Sequence, residues 1–268
     1  MIRLIAIDLD GTLLDHTRDI PAANIEAVSA ARDAGVCVVL ASGRIRPSME
    51  PFAARLGLTG PMICANGAHV VGEAGREILH VGLDSATTHT VLQYAEEHRI
   101  HLNIYTRSTL RFLANTPWGD VYRTRVSAVQ PEMLKPEDRA DLSPTKLMIV
   151  ADPGDVPAHR EALARLIDHR RARMVVSEPE YLEFLSTSAS KGSALAILSE
   201  ACGYRREDVA AVGDYQNDLE MVQWAGLSAA VANAAPEVAA AATVRVASNE
   251  QAGVAEFINE HVLQRTRA

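Results

Sequence analysis

Apolar and polar positions fall into blocks along this chain, and the blocks change character in its middle. Residues 2–7 form a short, β-branched, almost uncharged run, suited to a buried strand and too short for a helix. The run ends at once in Asp8, Asp10, Gly11 and Asp15. Helical spacing follows over 21–34, stopped by Gly35, and over 47–56, stopped by Gly57. Apolar strand patterns lie at 36–41 and 62–64. Late in the chain, 191–201 reads as a helix with Gly203 just past its end. The short apolar runs 209–212, 227–231 and 244–246 read as strands, and 252–263 as a closing amphipathic helix. Strands alternating with helices imply parallel βαβ units, hence a doubly wound sheet.

The middle breaks this rhythm. Residues 84–99 suggest a helix capped by Asp84, 102–105 and 110–113 a strand pair, and 145–150 a strand. A helix over 157–169 and strands over 174–177 and 181–185 follow. The expected fold is therefore α/β: a doubly wound, mostly parallel Rossmann-like core sheet carrying an inserted α+β cap domain. The boundaries expected are 1–84 and 187–268 for the core and 85–186 for the insert.

At 268 residues the chain has room for one large or two modest domains. A formal net charge of −8 argues against a general nucleic-acid binder. Cys37, Cys64 and Cys202 are far apart and form no CxxC pair, which suggests neither a disulfide framework nor a zinc site and fits a reduced cytoplasm. Asp8 and Asp10 interrupt the N-terminal apolar run too early for an export signal. The Ala-rich stretch 225–247 holds Asn233, Pro236, Glu237 and Arg245, which are costly in lipid. It reads as strand, loop, short helix and strand.

Four stretches carry candidate chemistry, each where a strand ends or a helix begins. In the first, Asp-Gly is an ordinary turn dipeptide, which accounts for Asp10 but not for Asp8. In an extended chain residues i and i+2 point the same way, so Asp8 and Asp10 are expected to face one spot. Two anions held together need a cation or a proton. The second, Ser42-Gly43-Arg44, reads alone as a plain turn, though a hydroxyl and a glycine N–H also suit a phosphate oxygen. The third, Ser190-Lys191-Gly192, puts a cation at a helix N-terminus, where the dipole disfavours it, so an anionic partner is expected. The fourth is Gly213-Asp214-Tyr215-Gln216-Asn217-Asp218. One capping Asp would suffice at a helix start; two, with Asn217, exceed that need. Ligand sites in open α/β sheets lie beyond the carboxyl ends of the strands. Acidic groups, a hydroxyl and a lysine converging there make a Mg²⁺–phosphate site. No P-loop pattern occurs. His98 and His101 are spaced HxxH but straddle a helix end without an evident third ligand, so a metal role is not expected of them.

DxDGT, SGR, SKG and GDxxND in this order closely resemble the haloacid dehalogenase-like superfamily, and within it the Cof-type phosphatases with a large α+β cap between the second and third motifs. Residues 64–68, Asn233-Ala and Gly253-Val254-Ala255 share the resemblance, which covers nearly the whole chain. Tyr215-Gln216 departs from it, since relatives often carry small or acidic residues there. The resemblance implies a Mg²⁺-dependent hydrolase acting on a small phosphomonoester, a sugar phosphate or a phosphorylated cofactor. It implies Asp8 as the nucleophile, giving an aspartyl-phosphate, and Asp10 as the general acid/base. It further implies Mg²⁺ held by Asp8, the Asp10 carbonyl and Asp214, with Asp218 holding the ion's waters. Ser42, Gly43, Lys191 and Asn217 are the implied phosphate-binding residues. Candidates for contact with the rest of the substrate are Arg44, Asn66, Tyr105, Arg107, Trp118 and Arg123, with Tyr122 and the other aromatics serving core packing at least as well. The expected setting is cytoplasmic, without nucleic acid or membrane, as a monomer or small homo-oligomer. The rival expectations are a phosphosugar mutase and a non-catalytic ligand-binding or regulatory protein on the same fold; the intact Asp8, Asp10, Lys191 and Asp214 set argues against the latter.

Overall fold

The computed structural model describes residues 1–125, 129–139 and 142–266. In chain order the elements are β1 (Leu4–Asp8), α1 (Ala22–Asp33), β2 (Cys37–Ala41), α2 (Arg46–Arg55), β3 (Met62–Cys64), β4 (His69–Val71), β5 (Glu77–His80), α3 (Ser85–Glu97), β6 (His101–Tyr105), β7 (Leu110–Phe112), α4 (Pro117–Arg125) and β8 (Glu132–Met133). They continue as β9 (Lys146–Val150), α5 (Val156–Ala164), β10 (Ala172–Glu178), β11 (Tyr181–Ser186), α6 (Lys191–Ala201), β12 (Val209–Gly213), α7 (Leu219–Trp224), β13 (Leu227–Val231), α8 (Pro236–Ala241), β14 (Val244–Val246), α9 (Gly253–Phe257) and α10 (Leu263–Thr266). Two compact units result: residues 1–44, 49–79 and 190–268 form the first, and 45–48 with 80–189 the second.

The first unit is built on a sheet of order β14-β13-β12-β1-β2-β3-β4-β5. Pairing is parallel from β14 through β3 and turns antiparallel at β3–β4. β1 lies at its centre and is buried on both faces. Ile5 and Ile7 join the cluster that includes Val28 of α1 and Phe257 of α9, whereas Leu4 and Ala6 join the cluster with Leu195 and Leu198 of α6. That two-sided burial is why the run is apolar at every position rather than at alternate ones. Asn24, fully buried in α1, is satisfied at both ends: its amide donates to the Leu13 carbonyl (3.1 Å) and its oxygen accepts from the Ala255 N–H (2.9 Å).

The second unit has a sheet of order β10-β11-β9-β6-β7-β8, antiparallel except for β7–β8. One face buries Leu102, Ile104, Leu147, Ile149, Leu182 and Phe184 under side chains of α3 and α5. The other carries Tyr105, Phe112, Met148 and Tyr181, with Trp118 and Tyr122 of α4 packed on it. This second face also holds a buried ion pair, Lys146 Nζ to Glu183 Oε1 at 2.9 Å. Asp84 caps α3, accepting from the Thr87 N–H.

The structure differs from the sequence reading in several elements. β4, β5, α4 and β8 were not foreseen, being short or polar. The helix expected over 157–169 ends at Ala164, and the closing helix is interrupted by a π-turn over Ile258–Val262. Among the described residues no helix is long and apolar enough to cross a membrane.

Candidate active site

Parallel pairing on both sides of β1 fixes which chain segments meet. Asp8 lies opposite Ala41 of β2, and Ile7 opposite Val212 of β12. The residues that follow the two strands, Ser42-Gly43-Arg44 and Asp214, therefore leave the sheet beside Asp8, at the carboxyl ends of the strands. After Asp8 the chain turns at once. Gly11 has φ +86°, and a Cβ there would lie 2.5 Å from an Asp214 oxygen, so only glycine meets both demands. Thr12, on the far side of the turn, donates its hydroxyl to Asp214 Oδ1 at 2.7 Å.

Lys191 is the first residue of α6 and is fully buried. Its ammonium donates to Asp8 Oδ1 and to Asp218 Oδ1, each at 2.6 Å, which supplies the anionic partners expected of a lysine at a helix N-terminus. Asp218, also fully buried, uses its other oxygen to accept the backbone N–H groups of Asp214 (3.0 Å) and Tyr215 (3.2 Å). It thus holds the fourth-motif turn and the lysine together. Oxygens of Asp8, Asp214 and Asp218 lie within 4.8 Å of one another. Burial, then repulsion from Asp218, raises the Asp8 pKa well above the usual carboxylate range, although Lys191 opposes this. Burial pushes Asp214 up to about 6 against the Thr12 hydrogen bond. Burial works to lower Lys191, but Asp218 and Asp8 outweigh it and raise it. Three carboxylates, two of them buried, against one ammonium leave an excess of negative charge and an all-oxygen donor set, which suits a hard divalent cation.

The second motif is held from both sides. Ser42 is buried; its N–H donates to the Ile63 carbonyl (2.9 Å), and its hydroxyl oxygen accepts the Arg44 N–H (3.2 Å). Ala65 and Asn66 donate backbone N–H groups to the carbonyls of Arg44 and Ser42. Residues 65–67 all have positive φ, at 50°, 55° and 90°. At Gly67 a Cβ would sit 2.0 Å from the Ser190 carbonyl oxygen, so this turn packs directly on the backbone that starts α6. The Asn66 amide oxygen accepts from Asn217 Nδ2 at 2.9 Å. Asn66 thereby joins the second motif to the fourth, a link that spacing alone does not reveal.

Asp10 departs from the sequence reading. β1 ends at Asp8, so Asp10 sits in the turn rather than in an extended strand, and the rule that i and i+2 face one spot does not apply. Its half-exposed carboxylate is gripped instead by Arg44, with Nε to Oδ2 at 2.8 Å and an Nη to Oδ1 at 2.5 Å. Arg44 was expected only as a substrate contact.

The remaining candidates lie in the second unit. Tyr105 is buried, its hydroxyl 2.5 Å from that of Tyr122 and its ring 4.8 Å from Lys146 Nζ. Trp118 packs on the same cluster, and the Arg123 guanidinium lies over the Phe112 ring at 4.8 Å. Arg107 is exposed between β6 and β7. His98 and His101 go to different partners: His98 Nδ1 contacts the Tyr94 carbonyl, whereas His101 contacts Asn103 and Thr116.

A haloacid dehalogenase-like hydrolase family model matches residues 5–258. The chain is 30% identical over 277 residues to the pyridoxal phosphate phosphatase YbhA of Escherichia coli, covering 97% of this chain and 99% of that one. It is 28% identical over 281 residues to the 5-amino-6-(5-phospho-D-ribitylamino)uracil phosphatase YwtE of Bacillus subtilis, covering 97% and 98%. A haloacid dehalogenase-like hydrolase from Bacteroides thetaiotaomicron superposes with a TM-score of 0.87 at 27% identity, over 97% and 99% of the two chains. The chain belongs to the haloacid dehalogenase-like hydrolases, as a phosphatase of the Cof type.

Proposed function

We propose that this enzyme is a Mg²⁺-dependent phosphatase that hydrolyses a small phosphomonoester through an aspartyl-phosphate on Asp8. The observation that carries the reading is the buried ammonium of Lys191 bridging Asp8 and Asp218 beside Asp214. Such a group works against the burial that disfavours the charged form of Asp8 and holds one of its oxygens where water is scarce, as a nucleophile requires. Asp8, the Asp10 carbonyl and Asp214 are the residues that would hold Mg²⁺, with Asp218 behind them. When bound, that ion supplies neutralisation of phosphoryl charge.

The chain's own groups do the rest. An Asp8 oxygen bonds to phosphorus as the bond from phosphorus to the leaving oxygen breaks, and Asp10 gives that oxygen its proton. Water then attacks the phosphorus of the aspartyl-phosphate, Asp10 takes back a proton, and inorganic phosphate leaves as Asp8 is regenerated. Ser42, the Gly43 N–H and Asn217 hold the phosphoryl oxygens, and the Asn66–Asn217 bridge fixes the last of these. The names of two relatives, one acting on pyridoxal phosphate and one on a phosphoribitylamino-uracil, support a phosphorylated cofactor or its precursor as substrate. Choice among leaving groups falls to side chains outside the four motifs, with Tyr105, Arg107, Trp118 and Arg123 as candidates.

The test is phosphate release from a panel of phosphomonoesters by the wild-type protein and by Asp8→Asn, with acid-quench trapping of phosphoprotein. Wild-type release, trapped phosphate and an inactive but folded Asp8→Asn are expected. An Asp8→Asn variant as active as wild type refutes the assignment.

A further inference from the structure

Arg44 is fixed at three levels. Its backbone is pinned by the Ser42 hydroxyl on the N–H side and by the Ala65 N–H on the carbonyl side. Its guanidinium carbon lies 5.0 Å from the centre of the Phe52 ring. The head closes on Asp10 with two N–H groups meeting two oxygens. The Arg44 side chain is 26% exposed and that of Asp10 50% exposed. An ion pair so open to water contributes little to stability. A two-point fork does, however, fix the plane and direction of a carboxylate, which a single charge does not.

We propose that Arg44 is a positioning residue for the proton transfers of Asp10: the fork sets the direction in which the Asp10 carboxyl presents its proton to the leaving oxygen. Arg44 exchanges no proton itself. When Asp10 is neutral, the proton sits on a lone pair of one oxygen that the fork leaves free, and the guanidinium still holds the plane of the carboxyl group. The inference rests on the phosphatase reading above and deepens it.

The experiment compares kcat/KM for an activated aryl phosphate, whose phenolate departs without a proton, with that for an unactivated alkyl phosphate, whose alkoxide needs one. The proteins are wild type, Arg44→Met, Arg44→Lys, Asp10→Asn and Arg44→Met/Asp10→Asn, each checked for folding by circular dichroism. Met keeps an apolar stem against Phe52. Arg44→Met is expected to lose about 10–100-fold on the alkyl ester. It should lose less than about threefold on the aryl ester, and nothing further once Asp10 is Asn. Arg44→Lys should stay within about threefold of Arg44→Met, because a point charge cannot reproduce the fork. Equal losses on both esters, an undiminished loss in the Asp10→Asn background, or full recovery by Lys would each overturn the positioning role and leave the phosphatase reading standing. Absence of phosphate release by wild type from either ester would overturn both.

Discussion

Replacing Lys191 by Met removes a buried cation and keeps most of its length. Each of its two contacts, at 2.6 Å, corresponds to about 6 kcal/mol of attraction at an effective dielectric constant of about 20. Carboxylate oxygens within 4.8 Å of one another repel by about 3.5 kcal/mol or more per ionised pair on the same scale. The protein need not bear this sum, because a carboxylate with no cation beside it takes up a proton. Holding one aspartyl group neutral at pH 7.5 costs about 1.36 kcal/mol for each pH unit above its free value near 3.9, hence at most about 5 kcal/mol, and the raised Asp8 means that the wild type already bears part of it. That limit agrees with the roughly 3–5 kcal/mol typical of a broken buried ion pair. At pH 5.5 the same reckoning gives about 2 kcal/mol. The loss should therefore shrink by more than half between pH 7.5 and 5.5. Urea unfolding in a chelating buffer measures it. Trp224 packs in the first unit and Trp118 in the second, so fluorescence in a Trp118→Phe background follows the relevant unit. A loss below about 1 kcal/mol at pH 7.5, or one of the same size at pH 5.5, refutes the claim that this ammonium holds the carboxylates together.

Two further outcomes follow from other features. Turnover should need a divalent ion, with Mg²⁺ effective and Ca²⁺ poor, because Ca²⁺ takes more oxygen ligands at longer distances and draws both Asp8 oxygens to itself; full activity after exhaustive chelation, with no metal by elemental analysis, contradicts this. Burial lowers the His101 pKa below its ordinary 6.5, so the unfolded chain takes up that proton first. Stability should fall as pH drops from about 7 through the lowered value and then level off, and His101→Gln should flatten this part of the pH profile in thermal unfolding.

How legible the site was depended on whether a residue's role was set by local or by distant neighbours. Lys191 was legible because its local position is wrong: a cation at a helix start implies an anion elsewhere, and Asp8 and Asp218 are that anion. β1, β2 and β12 were legible because both faces are buried and their runs are apolar. β4 was not, being three buried residues long, and β5 was not, since Glu77 is exposed and its other positions are only half-buried. The Asp10–Arg44 and Asn66–Asn217 contacts were hidden for another reason. They join turns that meet only once the sheet has set strand order, 34 and 151 residues apart in sequence. The error over Asp10 came from extending a strand rule past the strand's last residue.

The structure gives different surroundings to two carboxylates that the motif writes as a pair. The proposed chemistry asks opposite things of them. A nucleophile must be ionised, held still and stripped of water, and Asp8 is buried against a buried lysine. An acid/base group must lose a proton to one partner and regain it from water in the second half of the reaction. A site as closed as that of Asp8 would serve this badly, because it shuts out the water that is the second reactant. Asp10 stands half exposed, held by a guanidinium that is itself partly open to solvent. The single residue between them, Leu9, is fully buried and pins the turn. The strand ends at Asp8 so that one carboxylate stays with the core and the other leaves it.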